Sequence, residues 1–178
     1  MSPAPEGDGA WALPRGGPPV RRSGAAAGDP YGKATEDAAR ALSLTVQTVH
    51  VQGPEDLEGA FAAIARQRAD GLFVWLYATT LTHRGRIVDF AARNRLPAVY
   101  ESREFADAGG LMTYGVDNQD LYRRAAMYVD RILRGAKPAD LPIERPTKFE
   151  LVVNRRTVTA LGLTIPPSVL LQADHIIE

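Results

Sequence analysis

Residues 96–154 read LPAVYESREFADAGGLMTYGVDNQDLYRRAAMYVDRILRGAKPADLPIERPTKFELVVN, and the stretch decides the fold because three short apolar runs in it each end in polar or aromatic residues. Two of these runs, 98–100 and 111–114, are predicted strands separated by a turn over 107–110. Between the second and the third lies the longest helical pattern of the chain, 118–134, in which Leu121, Ala125, Tyr128, Val129, Ile132 and Leu133 recur with helical period. Arg123, Arg124, Asp130 and Arg131 fall on the other side, and Gly135 is placed to end the helix as its C′ residue. The third strand is predicted at 148–154, KFELVVN, with Phe149, Leu151 and Val153 on one face.

Working toward the N-terminus, the same alternation continues. A helix is expected over 34–42 and a strand over 44–51, followed by Gly53 and Pro54, which stop the strand and open a helix. Glu55 and Asp56 suit the positive end of that helix, and Leu57, Phe61 and Ile64 line its buried face. GLFVWL at 71–76 is a continuous apolar run, the pattern of a strand covered on both faces. Thr79 or Thr80 can cap the next helix, with Ile87, Val88, Phe90 and Ala91 turned inward. Toward the C-terminus a short helix is expected over 156–161 with Gly162 as its stop, inside a C-terminal extension 155–178. Strands alternating with helices in this way predict an α/β domain over 31–178, built on a mostly parallel sheet flanked by helices.

Residues 1–30 stand apart. They hold six of the 13 prolines and six of the 16 glycines with few branched aliphatics, too little apolar area to offset the entropy of ordering, so a disordered Pro/Gly/Ala-rich head is expected. Over the whole chain, 45% hydrophobic and 24% charged residues suit one globular domain in 178 residues. The 21 basic residues balance the 21 acidic ones, so no net field recruits nucleic acid or an anionic membrane. Without cysteine there is neither a disulfide nor a thiolate nucleophile. The N-terminus has no apolar core of the kind a secretory signal needs.

In open parallel sheets, ligands sit beyond the carboxyl ends of the strands. That rule nominates three groups: Tyr77, Thr79 and Thr80 after the second strand, Tyr100, Glu101 and Ser102 after the third, and Tyr114, Gly115 and Asp117 after the fourth. Hydroxyls and helix N-terminal amides can receive the carboxylate of a small zwitterion, Glu101 or Asp117 can take its ammonium, and tyrosine rings supply apolar walls with a polar tip. Each position also has a plainer reading. Thr79, Thr80 and Asp117 suit helix caps, Tyr100 and Tyr114 suit ordinary strand positions, Glu101 suits a solvated loop, and Gly115 suits a turn.

Catalytic motifs do not emerge. The chain has no G-x-G-x-x-G, P-loop, G-x-S-x-G or H-E-x-x-H pattern, and His50, His83 and His175 lie far apart on different elements. No enzyme, metal site or cofactor is therefore expected.

From Ala34 onward the chain closely resembles the C-terminal half of the solute-binding proteins of a bacterial ABC-transporter family, whose best understood members take up aromatic or related amino acids. The resemblance rests on Arg103-Glu104-Phe105 with Gly109-Gly110-Leu111-Met112, on Tyr114-Gly115, and on the helix from Tyr122-Arg123-Arg124 to Gly135-Ala136-Lys137-Pro138. Pro146-Thr147-Lys148-Phe149-Glu150 and Ala160-Leu161-Gly162-Leu163 through Pro166-Pro167-Ser168 add to it. It implies a type I periplasmic-binding fold, in which two α/β lobes joined by crossovers close on a solute, 118–134 being a crossover helix. By the same resemblance the protein delivers its solute to an ABC permease, carries no cofactor, works outside the cytoplasm and does no chemistry. Two positions depart from the family pattern: Leu76-Tyr77-Ala78-Thr79-Thr80 replaces a proline-aspartate-proline type loop, and Glu101 stands where a glycine is usual.

The resemblance includes no N-terminal lobe, first strand of the second lobe or export signal. The expectation is therefore a truncated receptor, from a frameshift or misplaced start, that would stay cytoplasmic as written. The apolar side of 118–134 would then be exposed or fold back on the sheet, which favours self-association. An alternative function follows: a stand-alone α/β sensor or interaction module that dimerises through that helix.

Overall fold

The computed structural model describes residues 8–14 and 30–178. Its strands β1 (Asp8–Pro14), β2 (Gln47–Val51), β3 (Ala69–Val74), β4 (Ala98–Tyr100), β5 (Met112–Val116), β6 (Phe149–Asn154) and β7 (His175–Ile177) form one sheet in the order β2-β1-β3-β4-β5-β6-β7. β3, β4 and β5 pair in parallel, and β2 runs the same way because β1 is antiparallel to both β2 and β3. β6 is antiparallel to β5, and β7 is parallel to β6. The domain is thus α/β with a mostly parallel sheet.

The helices follow local signals. α2 (Leu57–Arg66) grows from a 3₁₀ turn at Pro54–Asp56, where the Asp56 carboxylate accepts the Gln52 amide at 2.9 Å and the Gly53 amide at 3.3 Å. Leu57, Ala60 and Ile64, spaced three and four apart, are its buried residues. They join Leu72 and Val74 of β3 and Ile87, Val88 and Ala91 of α4 (Arg84–Arg93) in one apolar cluster. Phe90, expected inward, is half-buried and stacks on Phe61 of α2 with ring centroids 4.4 Å apart. Burying each such aliphatic side chain contributes about 1.5–3 kcal/mol as an upper figure.

Two expectations need correction. Within the predicted disordered head 1–30, Asp8–Pro14 is instead a strand inside the sheet; its other residues lie outside the described residues, apart from Pro30, which opens α1 (Pro30–Ala41). Composition measures apolar area, whereas β1 is held through backbone hydrogen bonds to a neighbour on each side. The second concerns 175–177, for which no strand was expected. β7 forms because Asp174 accepts the Leu151 amide at 2.8 Å and returns its own amide to the Leu151 carbonyl at 2.9 Å, which registers the tail against β6.

α6 (Asn118–Leu133) differs from the other long helices of the core. None of its residues is buried. It starts where predicted, with Asp117 as N-cap accepting the Asp120 amide at 3.0 Å, and it ends before Gly135, whose φ of 100° suits a residue without Cβ. Its apolar stripe meets the returning arm 138–146 in a groove of about 410 Å³ lined by Leu121, Ala125, Tyr128, Ile132 and Pro142. Tyr128 donates to the Pro142 carbonyl at 2.6 Å, and Arg124 donates to Asp120 at 2.7 Å and to Thr147 at 2.9 Å. Leu121, Ala125, Tyr128 and Ile132 of the stripe therefore meet the return segment, while Val129 and Leu133 stay exposed.

Candidate functional site

Parallel register brings the carboxyl ends of β3, β4 and β5 to one rim. Val74 lies beside Tyr100, and Tyr100 beside Thr113. Side chains alternate between faces, so Leu72, Val74, Ala98, Tyr100 and Thr113 enter the buried core while Phe73 and Tyr114 take the opposite face, and Trp75 continues that face beyond β3. On this second face a cleft of about 380 Å³ opens between the strand ends and the start of α6. Phe73 and Trp75 meet edge to face with centroids 4.9 Å apart, and Tyr114 stacks on Phe149 of β6 at 5.9 Å. Leu76, Glu101 and Leu121 also line the cleft.

Glu101 is the charged member. Its Oε2 accepts the Leu76 amide at 2.7 Å, which ties the β4 loop to the end of β3. Burial raises its pKa above the usual carboxylate range, and the Leu76 amide opposes that rise. Gly115 is required beside it, because a Cβ at this position would overlap the Glu101 carbonyl oxygen. The two strand ends are thereby pinched together, and Glu101, Tyr114 and Gly115 all line the cleft.

The other nominated residues serve the scaffold. Tyr100, 1% exposed, lies in the core and stacks on Phe105 of α5 (Arg103–Asp107) at 4.7 Å, and burial raises its hydroxyl pKa. It is not a cleft wall, because residue parity turns it inward. Tyr77, Thr79 and Thr80 belong to the start of α3 (Ala78–Thr82) and do not line the cleft. Tyr77 takes the N-cap position expected of a threonine, while the buried Thr80 hydroxyl accepts the Tyr77 amide at 2.9 Å and donates to the Trp75 carbonyl at 2.8 Å. The half-buried Thr79 offers its carbonyl to the His83 amide. Ser102 is the buried N-cap residue of α5, and its hydroxyl donates to Glu104. Asp117 caps α6 and pairs with Lys148 Nζ at 2.7 Å; the hydrogen bond from Lys148, then the Asp120 amide, lowers its pKa.

Phe73, Trp75 and Phe149 are the aromatic cleft residues that sequence reasoning missed. Their signal was parity: residues 73 and 75 share a face of GLFVWL, and a continuous apolar run hides which face is open. Among the described residues, no three of His, Cys, Asp and Glu gather as a metal site, and His175 contacts Glu150 at 3.2 Å. No helix among them is long and apolar enough to cross a membrane.

A half-open cleft at the ends of parallel strands in an α/β sheet is the architecture of a periplasmic-binding-type domain, and the solved structures similar to this chain are of that type. The chain belongs to the family of ABC transporter substrate binding proteins, which it matches over residues 20–177. A conserved domain protein from Vibrio cholerae O1 biovar El Tor is similar with a TM-score of 0.75 and 22% identity, over 82% of this chain and 49% of the other. The ABC domain in complex with L-Trp from Streptococcus pneumoniae gives 0.73 and 25%, over 84% and 51%. A ligand-free, open substrate binding protein with adhesive properties from Clostridium difficile gives 0.59 and 16%, over 82% and 48%. The chain therefore spans about half the length of these solved relatives. No curated protein matches it. The family is one of small-solute binding proteins that work with ABC transporters, typically outside the cytoplasm.

Proposed function

We propose that this chain binds a small solute, an amino acid or a close analogue, in the cleft at the ends of β3, β4 and β5, for delivery to an ABC permease without chemical change. The observation that carries the reading is the cleft itself: Glu101 set among Trp75, Tyr114 and Phe149 on the open face of the sheet. Its volume of about 380 Å³ suits a small molecule. L-Trp in the pneumococcal relative supports an amino-acid-like solute with an apolar body. Family membership supports an extracytoplasmic site of action and a permease partner. Calorimetric titration with a panel of amino acids tests the reading. A saturable heat that weakens in Tyr114→Ala is expected, and silence across the panel at millimolar ligand overturns it.

One observation favours a second reading, a sensor or interaction module that self-associates. α6 exposes Tyr122, Val129 and Leu133, which lie together on one flank of the helix and do not line its groove. Light scattering over a concentration series decides it, and a monomer at the highest concentration rules it out.

A further inference from the structure

The cleft is chemically one-sided. Of the described residues that line it, Glu101 alone carries a charge, and its charge is negative. Three cations among the described residues are engaged elsewhere: Lys148 with Asp117 at 2.7 Å, Arg103 with Glu150 at 2.9 Å, and Arg124 with Asp120 at 2.7 Å. None of the three lines the cleft. A helix N-terminus would ordinarily receive an anion. Here the start of α6, which reaches the cleft through Asn118, is already occupied by the Asp117 carboxylate. Among the described residues that line it, a carboxylate entering the cleft would find no counter-charge, and it would face Glu101.

A cation finds the opposite. Glu101 is held in place through Oε2 by the Leu76 amide, and none of the described residues donates a hydrogen bond to Oε1. A half-buried carboxylate with one oxygen unpaired is stabilised by a partner of opposite sign. Phe73, Trp75, Tyr114 and Phe149 line the cleft with it, and aromatic faces attract ammonium groups and shed carboxylates. Burial of Glu101, seen also in its raised pKa, indicates that water screens this charge less than at an open surface.

Resting on the solute-binding reading above, we propose that this cleft recognises its solute by a cationic end. The ligand class is an organic ammonium with an aromatic or aliphatic body: the ammonium pairs with Glu101 Oε1, the body lies against Trp75, Tyr114 and Phe149, and a carboxylate on the solute is not required by this side of the site. Glu101 is the specificity-determining residue.

The test is calorimetric titration of the full chain with three probes of matched body: 2-phenylethylamine, 3-phenylpropanoate and L-phenylalanine. The amine should bind at least about tenfold more tightly than 3-phenylpropanoate, in keeping with the strength of a desolvated cation–π and ion-pair contact. Glu101→Gln keeps an acceptor for the Leu76 amide and should erase that preference by weakening the amine alone. Equal or tighter binding of 3-phenylpropanoate overturns the proposal, as does unchanged amine affinity in Glu101→Gln. If circular dichroism shows that this variant does not fold, Tyr114→Leu replaces it. That change keeps an apolar wall and removes the ring, so the amine should weaken more than 3-phenylpropanoate, and equal losses count against the proposal. Binding of L-phenylalanine or another amino acid without binding of the amine sinks the cationic-end proposal and leaves the solute-binding reading standing. Silence of all three probes and of the amino-acid panel sinks both.

Discussion

Tyr100 and Tyr114 sit on neighbouring strands, yet one is sealed in the core and the other is 55% exposed at the mouth of the cleft. Tyr100 stacks on Phe105 beneath α5, and Tyr114 stacks on Phe149 over the open face. The two faces of the sheet are thus built from the same residue types for different ends. On one face aromatic area is removed from water and contributes to stability. On the other it is left accessible, where it can contribute to binding.

The contrast can be broken first at its core. Phe105→Ala removes a fully buried ring and should cost about 3–5 kcal/mol in chemical denaturation. Tyr114→Ala should cost no more than about 1.5 kcal/mol, the scale of one aromatic pair, while weakening solute affinity; a loss as large as that of Phe105→Ala would erase the distinction between the faces. Where the faces meet, Gly115→Ala forces a Cβ against the Glu101 carbonyl oxygen and should destabilise by about 1–3 kcal/mol. It should also blunt any ligand titration, because it shifts the strand end that carries Glu101.

A smaller effect belongs to the cap of α6. The pKa of Asp117 is lowered in the folded chain, chiefly by Lys148, so its ionised form is favoured by folding. Its contribution is complete above the ordinary carboxylate range and is lost as pH falls through the lowered value. The protection of amides at the start of α6, measured by hydrogen exchange relative to the intrinsic rate at each pH, should therefore fall in acid, and Asp117→Ala should remove that pH dependence while lowering protection at neutral pH. The smallest expected change is Leu133→Glu, at a residue 82% exposed, which should alter monomer stability by within about 0.5 kcal/mol. If α6 mediates self-association, the same substitution should shift light scattering toward monomer.

Much of the scaffold was legible because its signals are local. The acidic turn at Glu55 and Asp56, the 3.6-residue spacing of Leu57 and Ile64, and the cap at Asp117 each lie within a few residues of the element they define. The cleft was legible only in part. Strand ends pointed to Glu101, Tyr114 and Gly115, which do meet, and equally to Tyr77, Thr79, Thr80, Tyr100, Ser102 and Asp117, which cap helices or fill the core. Phe73 and Trp75 were hidden inside an apolar run, and β1 inside a composition that looked unable to order.

The sequence by itself determined the alternation of strands and helices, most of their boundaries and the family to which the chain belongs, since periodicity, caps and motifs are written in neighbouring residues. Only the tertiary structure decided which tyrosine is core and which is cleft, that β6 runs against β5, and that Glu101 is held by an amide 25 positions earlier in the chain. Those outcomes depend on strand register and on contacts between distant segments. A one-residue change of parity reverses the direction in which a side chain points while leaving the composition untouched.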